Sequence, residues 1–407
     1  MSAPQPRPGP LDGLLVADFS RVVAGPYAAM LLGDLGADVV KVERPGSGDD
    51  TRGFGPPFVG DGGQTSSYYL SINRNKRAVA WDLATADGQA KARALAERAD
   101  VVIENFKPGG AAKLGLDYEE IAATNPGVVY CSISGFGSSG EGAQLPGYDF
   151  LVQAVGGLMS ITGDGGPEGQ PRKVGVAVVD VLTALFASNA VLAALVERSG
   201  SGRGQRIEVD LLSSSLAALI NQASTYLTTG SIPRAMGNRH PSIAPYETLA
   251  AADRQFVVAV GNDGQFAALA RVVGKEQMGT DARYARNAER VANRDEMIAE
   301  LEGALSTRPA AEWVDLLNAA GIPSGIVNDL GEAFALAEKV GLSPVVQVTK
   351  TGGARWPASD PDPGAQVASP MRFSRTPVTY RLPPPRLGEH SAEVESQLGI
   401  DSDRDPR

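Results

Sequence analysis

Cysteine and histidine are scarce in this chain of 407 residues, which has one Cys and two His. Cys131 alone cannot form an intrachain disulfide, and no spacing of His, Cys, Asp or Glu indicates a metal site. A Ser-His-Asp triad would need His240 or His390, and no G-x-S-x-G motif lies at a strand-to-helix turn. The P-loop motif G-x-x-x-x-G-K-[ST] is also missing. We therefore expect no metal centre, no serine hydrolase chemistry and no P-loop nucleotide hydrolysis.

An excess of positive charge and a long apolar run are missing as well. Asp and Glu number 47 against 37 Lys and Arg, and the net charge of -10 disfavours non-specific binding to nucleic acid. No uninterrupted apolar stretch of about 18 residues predicts a membrane span. The Pro-rich residues 1–10 lack the apolar core of a secretory signal and are predicted to be a disordered leader. The simplest interpretation is a cytoplasmic protein without nucleic-acid or membrane partners.

Apolar segments near the start of the chain alternate between strand-like and helical spacing. Residues 14–18 and 37–42 are predicted strands, and residues 27–35 between them are a predicted helix. A strand, a helix and a second strand in about thirty residues form a βαβ unit with parallel strands. The pattern recurs, with strands predicted at 78–82, 100–104 and 128–134 and helices at 85–99 and 118–124. The sequence therefore predicts an α/β fold with a doubly wound, mostly parallel, Rossmann-like sheet.

Changes in composition divide the rest of the chain. Glycine-rich residues 135–175 precede predicted helices at 178–198 and 211–228, and residues 264–340 are largely helical. A Pro- and Gly-rich stretch then leads to a short predicted helix at 391–398 and a charged tail. We predict a leader (1–10), a large α/β domain (11–215), a linker (216–239), a smaller α/β domain (240–330) and a C-terminal return to the large domain (331–407).

Basic side chains follow two of the predicted strands. Lys41 and Arg44 follow the second strand, and Lys107 follows the strand at 100–104. Because ligands of open parallel sheets bind beyond the carboxyl ends of the strands, these cations favour an anionic, phosphate-bearing ligand. The alternative is a rim of solvated surface charges.

Asp180 begins a predicted helix among apolar neighbours. One interpretation is a helix N-cap, because Asp is a preferred capping residue. The other is a carboxylate that the helix dipole keeps ionised and that its neighbours keep dry, which could act as a nucleophile.

Six short segments occur in a specific order: DFSRVVAGP (18–26), LGADVVKVERPGSGD (35–49), NKR (75–77), VIENFKPG (102–109), SGRGQ (201–205) and LGEH (387–390). With them the chain resembles the class III coenzyme A transferases, also called the CaiB–BaiF or formyl-CoA transferase-like family. The similarity extends from about Leu11 to about Leu398.

The resemblance implies an acyl-CoA:carboxylate CoA-transferase whose catalytic aspartate is Asp180. Its carboxylate would attack an acyl-CoA thioester, and an anhydride and an aspartyl-CoA thioester would precede transfer to the acceptor acid. CoA thioesters and carboxylic acids would be the substrates, with no tightly bound cofactor. The family's architecture also implies an interlocked homodimer.

The same resemblance implies a set of CoA-binding residues: Val22, Arg44, Trp81, Asn105, Phe106, Lys107, Lys113 and Tyr148. Arg44 and Lys113 would pair with phosphates. Ala84 departs from members that carry a basic residue at this position, which puts one phosphate contact in doubt.

Residues 237–246 and 261–266 resemble members that move CoA between dicarboxylates such as succinate and glutarate. Arg239 or His240 could then hold the distal carboxylate of the acceptor. The family also contains 2-methylacyl-CoA racemases, but their histidine base corresponds to Tyr148, and a phenol with a pKa near 10 is a poor base. A non-catalytic acyl-CoA-binding protein is the other alternative.

Overall fold

The structure is a computed structural model that describes residues 9–59, 65–166, 168–348 and 364–400. Most of the predicted leader, part of the Pro- and Gly-rich stretch and the charged tail lie outside the described residues. The chain divides into two compact units. Unit 1 contains Met1–Leu158, Val174–Gly230 and Ser343–Arg407, and unit 2 contains Met159–Lys173 and Ser231–Leu342.

The described strands are β1 (Leu15–Asp18), β2 (Asp38–Glu43), β3 (Phe58–Val59), β4 (Thr65–Ser66), β5 (Lys76–Ala80), β6 (Val101–Glu104), β7 (Val129–Ser134), β8 (Gln205–Asp210), β9 (Tyr246–Ala250), β10 (Gln255–Ala259), β11 (Ser324–Ile326), β12 (Val345–Gln347) and β13 (Ala365–Val367).

The described α-helices are α1 (Ala24–Asp34), α2 (Ser67–Ser71), α3 (Ala86–Ala96), α4 (Gly110–Lys113), α5 (Tyr118–Thr124), α6 (Asp149–Val155), α7 (Leu158–Ile161), α8 (Val178–Ser201), α9 (Leu211–Ala218), α10 (Ile220–Thr229), α11 (Asp263–Val272), α12 (Asn287–Ala292), α13 (Arg294–Leu305), α14 (Ala310–Ala319), α15 (Leu330–Lys339) and α16 (Ser391–Leu398). Short 3₁₀ helices cover Asp50–Gly53, Glu141–Gln144 and Glu276–Gly279.

Unit 1 is built on a six-stranded sheet with the order β5-β2-β1-β6-β7-β8. All neighbouring strands are parallel, and Val16 of β1 lies opposite both Val39 of β2 and Val101 of β6. The strand order reverses between β1 and β6, so the loops after these two strands form the switch point where such sheets bind ligands. The predicted doubly wound α/β fold is confirmed.

Helices cover both faces of this sheet, which explains why an inner strand such as β6 reads as a continuous apolar run. Val101, Val102 and Ile103 of β6 are all buried. On one face, α1 and α8 contribute to a core that contains Leu32 and Val191. On the other face, the core is built with residues of α3, α5 and α16.

Among the described residues, one helix, α8, is long and apolar enough to span a membrane. In this fold it packs against α1, and its residues Ala184, Ala187 and Val191 are fully buried. The same composition that suits a bilayer therefore serves a protein core here.

Unit 2 contains an antiparallel three-stranded sheet with the order β11-β10-β9. Phe256 and Val258 alternate with exposed residues along β10 and pack in a core with Phe266 of α11, Leu301 of α13 and Trp313 of α14. Residues 159–173 group with unit 2, whereas the sequence prediction included them in the large domain.

The region predicted as one helix at 211–228 is two helices, α9 and α10. The chain breaks at Ile220, whose φ of 31° is incompatible with a continuous α-helix. No Gly or Pro marks this break in the sequence.

Candidate active site

The loop between β1 and α1 lies at the switch point and is tied to the loop after β6. The Arg21 backbone N–H donates to Asn105 Oδ1 at 2.9 Å, and Asn105 Nδ2 donates to the Arg21 carbonyl at 2.8 Å. Val22 adopts a φ of 69°, which is rare for a β-branched residue. The ring of Phe106 lies 6.5 Å from that of Phe19. The structure thus brings the predicted residues Val22, Asn105 and Phe106 together, with the Asn105 amide already engaged by the backbone.

Arg44, Lys107 and Lys113 are exposed side chains of unit 1. Arg44 follows β2, Lys107 follows β6, and Lys113 is the last residue of α4. Within the described ranges, none of the three forms an ion pair. Their exposure leaves them free to meet a phosphate, and it equally fits the alternative of a rim of solvated surface charges.

Lys41 differs, because it is fully buried and cannot face a ligand phosphate. Its Nζ lies 2.9 Å from Asp49 Oδ2 and donates to the Ser20 carbonyl at 2.9 Å. Burial opposes the charge of Lys41, but Asp49 and Asp18 outweigh it and raise the lysine pKa to about 12. The expectation that Lys41 binds an anionic ligand is wrong, because every β2 residue after Asp38 is buried in the covered sheet.

The two predicted aromatic CoA contacts outside this loop differ in exposure. Trp81 is buried, and its indole N–H donates to Glu395 Oε1 of α16 at 2.8 Å. Tyr148 is 63% exposed and immediately precedes α6. The Tyr148 ring is therefore accessible to a ligand, whereas Trp81 ties α16 to the end of β5.

Asp180 lies in the first turn of α8 and is only 9% exposed. The N-cap of this helix is Ala177, which makes no side-chain capping bond. The capping interpretation of Asp180 is therefore wrong. Its carboxylate accepts no hydrogen bond from any residue in the described ranges.

Asp149 and Gln153 of α6 hold the segment that leads into α8. Asp149 Oδ1 accepts the Val179 N–H at 2.8 Å, and Asp149 Oδ2 accepts from Gln153 Nε2 at 2.7 Å. The fully buried Gln153 also accepts the Val174 N–H through Oε1 at 2.8 Å. Both carboxylate oxygens of Asp149 thus accept hydrogen bonds, one of them from Val179, the residue before Asp180.

Burial, together with the negative charge of Asp149, raises the pKa of Asp180 to about 7. Burial and the charges of Asp180 and Asp149 also raise the pKa of Tyr68 on α2. With a pKa of about 7, Asp180 is about half ionised at neutral pH, so the helix dipole does not keep it fully charged there. Desolvation and a like charge outweigh a dipole effect of about 1 kcal/mol.

In unit 2, Arg239 and His240 lie in the loop before β9. Arg239 Nη1 lies 2.9 Å from Asp295 Oδ1, and its Nε lies 3.3 Å from the buried Glu247 Oε2. His240 Nδ1 accepts the Ser242 N–H at 3.1 Å. Both predicted acceptor-binding side chains already have protein partners in this structure.

Sequence reasoning did not single out Asp149, Gln153 or Tyr68. The one available signal was the position of Asp149, directly after the selected Tyr148. Gln153 and Tyr68 carry no motif, and only the fold brings α6 to the start of α8. Among the described residues, no group of three or more His, Cys, Asp and Glu could hold a metal ion.

Comparison with known proteins gives matches over almost the whole chain. The family model of CoA-transferase family III matches residues 11–391. The chain belongs to CoA-transferase family III. The enzyme class expected from the sequence is confirmed, and CoA thioesters and carboxylic acids are the substrates of this class.

This family III CoA-transferase has close curated relatives. It is 45% identical over 400 residues to the succinate–glutarate CoA-transferase of Agrobacterium fabrum, covering 96% of each chain. It is 38% identical over 390 residues to the succinyl-CoA:glutarate CoA-transferase of Homo sapiens, covering 96% of this chain and 86% of the relative. The crystal structure of a CAIB/BAIF family protein from Brucella suis aligns with a TM-score of 0.83 at 40% identity, covering 96% of this chain and 100% of that chain.

Proposed function

We propose that this CoA-transferase uses the carboxylate of Asp180 as a covalent nucleophile. The supporting observation is a buried carboxylate at the start of α8 that no described residue engages by a hydrogen bond, while both oxygens of its neighbour Asp149 are engaged. A carboxylate without a hydrogen-bond partner among the described residues is free to react. Its burial also keeps out the water that would hydrolyse an anhydride.

The proposed reaction needs no external base. An Asp180 oxygen attacks the thioester carbonyl carbon, the C–S bond breaks, and CoA leaves as thiolate with an acyl-aspartyl anhydride remaining. The thiolate attacks the aspartyl carbonyl carbon, which releases the donor acid and forms an aspartyl-CoA thioester. The acceptor carboxylate then displaces the thiolate to give a second anhydride. Attack of the thiolate on the acceptor's acyl carbon yields the new acyl-CoA and regenerates Asp180.

For CoA binding we propose Val22, Asn105 and Phe106 at the switch point, with Arg44, Lys107 and Lys113 as the phosphate partners. The free cations and their positions after β2, after β6 and in α4 support this assignment. Trp81 would act by anchoring the strand end, and the exposed Tyr148 ring would contact the ligand.

For the acceptor we propose a dicarboxylate of the succinate or glutarate type, with Arg239 or His240 as its distal partner. The relatives named for succinate and glutarate support the substrate class. An incoming carboxylate would compete with Asp295, the highly exposed partner of Arg239, while the buried Glu247 stays in place. Arg239→Ala should then raise KM for glutarate about tenfold or more and leave KM for a monocarboxylate unchanged. Equal effects on both acids would reject this assignment.

The test of the proposed function is an exchange assay with succinyl-CoA as donor and a panel of mono- and dicarboxylates, read by mass spectrometry of the acyl-CoA products. Asp180→Asn should lower the exchange rate by at least about a thousandfold, since it removes the nucleophile. Asp87→Asn is the matched control, because Asp87 also lies in the first turn of its helix but is exposed. Exchange that survives in Asp180→Asn would refute the nucleophile.

Two alternatives give different outcomes in the same experiment. A 2-methylacyl-CoA racemase would incorporate deuterium from heavy water at the α-carbon of its substrate. A non-catalytic binding protein would bind CoA without any exchange, and Asp180→Asn would have no effect.

We also propose a cytoplasmic homodimer, as the family resemblance implies. Large apolar side chains on α8, α9 and α10 support the dimer, since they are exposed in the single chain: Leu185, Phe186, Val196, Leu216, Ile220, Tyr226 and Leu227. An exposed apolar surface of this extent in one chain is typical of a protein–protein interface.

A further inference from the structure

The loop after β1 is held almost entirely by side chains. The Ser20 N–H donates to Asp18 Oδ1 at 3.0 Å, and the Ser20 carbonyl accepts from Lys41 Nζ at 2.9 Å. Asn105 engages both backbone groups of Arg21. The Val22 N–H donates to Asp49 Oδ1 at 3.3 Å. The conformation of residues 20–22 therefore depends more on these partner side chains than on the sequence of the loop itself.

Three of those partners, Asp18, Lys41 and Asp49, form a buried ion cluster together with Lys76. Lys41 Nζ lies 2.9 Å from Asp49 Oδ2, and Lys76 Nζ lies 3.0 Å from Asp18 Oδ2. Lys76 also donates to the Pro26 carbonyl in the first turn of α1 at 2.8 Å. The cluster thus fixes both the loop after β1 and the start of the helix that follows it.

A buried ion cluster is a poor device for stability alone. Moving charges out of water costs several kcal/mol per ion, and apolar replacements of similar volume are often as stable or more stable. The Lys41–Asp49 pair has a second feature, however: it holds a loop in which Val22 has a φ of 69°. A β-branched residue in this region is strained, and such strain persists only where the surroundings enforce it.

We propose that Lys41 and Asp49 are positioning residues, which hold Val22 in its left-handed conformation and so shape the switch-point loop that receives the acyl-CoA. The proposal rests on the proposed function for its substrate. The contact with the loop is direct: Lys41 reaches the carbonyl of Ser20, and Asp49 reaches the N–H of Val22. Without the pair, the loop relaxes and acyl-CoA binds less tightly, while the reaction at Asp180 continues.

The test replaces the whole pair, so that no charge remains buried without its partner. The variant is Lys41→Met/Asp49→Leu in the full chain. The matched control is Arg74→Met/Asp34→Leu, because Arg74 and Asp34 form a buried pair of unit 1, at 2.6 Å, that does not contact residues 20–22. Two readouts are compared: amide hydrogen exchange of peptides that cover residues 19–23, and KM and kcat with succinyl-CoA.

We expect faster amide exchange of this loop and an about tenfold higher KM for succinyl-CoA in Lys41→Met/Asp49→Leu, with kcat within about threefold. The control pair should change neither loop exchange nor KM.

Unchanged amide exchange of residues 19–23, or an equal KM rise in the control, would overturn the positioning role. If Lys41→Met/Asp49→Leu does not fold, Asp49→Asn against Asp34→Asn provides the same comparison. Amide hydrogen exchange of residues 19–23 tests the positioning role and does not require the enzyme to be active. A wild-type chain that transfers no CoA would therefore count against the proposed function alone.

Discussion

The ionisation of Asp180 is determined by its surroundings more than by its position in a helix. Its place in the first turn of α8 suggests a carboxylate that the helix dipole keeps charged. Burial and the charge of Asp149 instead raise its pKa to about 7. The sequence could predict the residue, but its environment depends on a carboxylate 31 positions earlier, which only the packing of α6 against α8 brings near.

This raised pKa predicts a cost to stability that depends on pH. The unfolded carboxyl has an ordinary pKa near 3.8, so the folded state binds the extra proton between about pH 4 and pH 7. The free energy of unfolding therefore falls as the pH rises through this range, and the full cost is present above pH 7. Asp180→Asn should stabilise the protein by on the order of 2–4 kcal/mol at pH 8 and have almost no such effect at pH 4.

Urea unfolding of both proteins at the two pH values measures this difference. A stability change of the same size at pH 4 and pH 8 would contradict the raised pKa.

Lys41 and Arg44 show a second limit of sequence reasoning at the residue scale. Both stand at the end of the same strand, and both were predicted to face an anionic ligand. The structure buries Lys41 between Asp18 and Asp49 and leaves Arg44 exposed. Separating them requires the partners on neighbouring segments, which no local pattern reveals.

Among the elements, those with a strong local signal were predicted well. Helices α5 and α16 match their predicted bounds, and inner strands such as β2 and β6 were found because both of their faces are buried. The strand β9 was missed, since its sequence YETLA has little β-branched content and becomes a strand through pairing with β10. The break between α9 and α10 was missed because neither Gly nor Pro marks it.

The turn before β8 depends on glycine for a close approach of two backbone segments. A Cβ added at Gly204 would lie 1.9 Å from the Val128 carbonyl oxygen, and the Gly204 N–H donates to the Pro126 carbonyl. Gly204→Ala should therefore lower the free energy of unfolding by about 2–3 kcal/mol, since backbone must move.

Gly200→Ala in the last turns of α8 is the control, because a Cβ there meets nothing within 4 Å. It should raise stability by roughly 0.5–1 kcal/mol, as alanine favours a helix over glycine. Chemical denaturation measures both variants, and equal effects would refute the proposed clash.

At the scale of the whole molecule, the resemblance spans nearly the full chain and the family match covers residues 11–391. The α/β class could be predicted because βαβ units recur along the first part of unit 1. The grouping of residues 159–173 with unit 2 could not, since it depends on bonds such as Ala235 N–H to the Ser160 carbonyl, far apart in sequence.

The exposed apolar residues of α8–α10 predict a homodimer in solution. Light scattering coupled to size-exclusion chromatography should give twice the mass of one chain at micromolar concentration. Leu227→Glu together with Ile220→Glu should reduce the dimer fraction or the soluble yield, because both side chains are largely exposed in the single chain. A wild-type monomer with full activity would contradict the dimer.

Covalent participation of Asp180 is the central claim, and trapping of the intermediate tests it. The enzyme is incubated with succinyl-CoA, treated with hydroxylamine and digested, and the peptide that contains Asp180 is analysed by mass spectrometry. We predict a hydroxamate on Asp180 that requires the donor, coincides with loss of activity and is absent in Asp180→Asn. The contradicting result is an enzyme that transfers CoA and keeps its activity when hydroxylamine and donor are both present. Asp180 would remain unmodified in that enzyme.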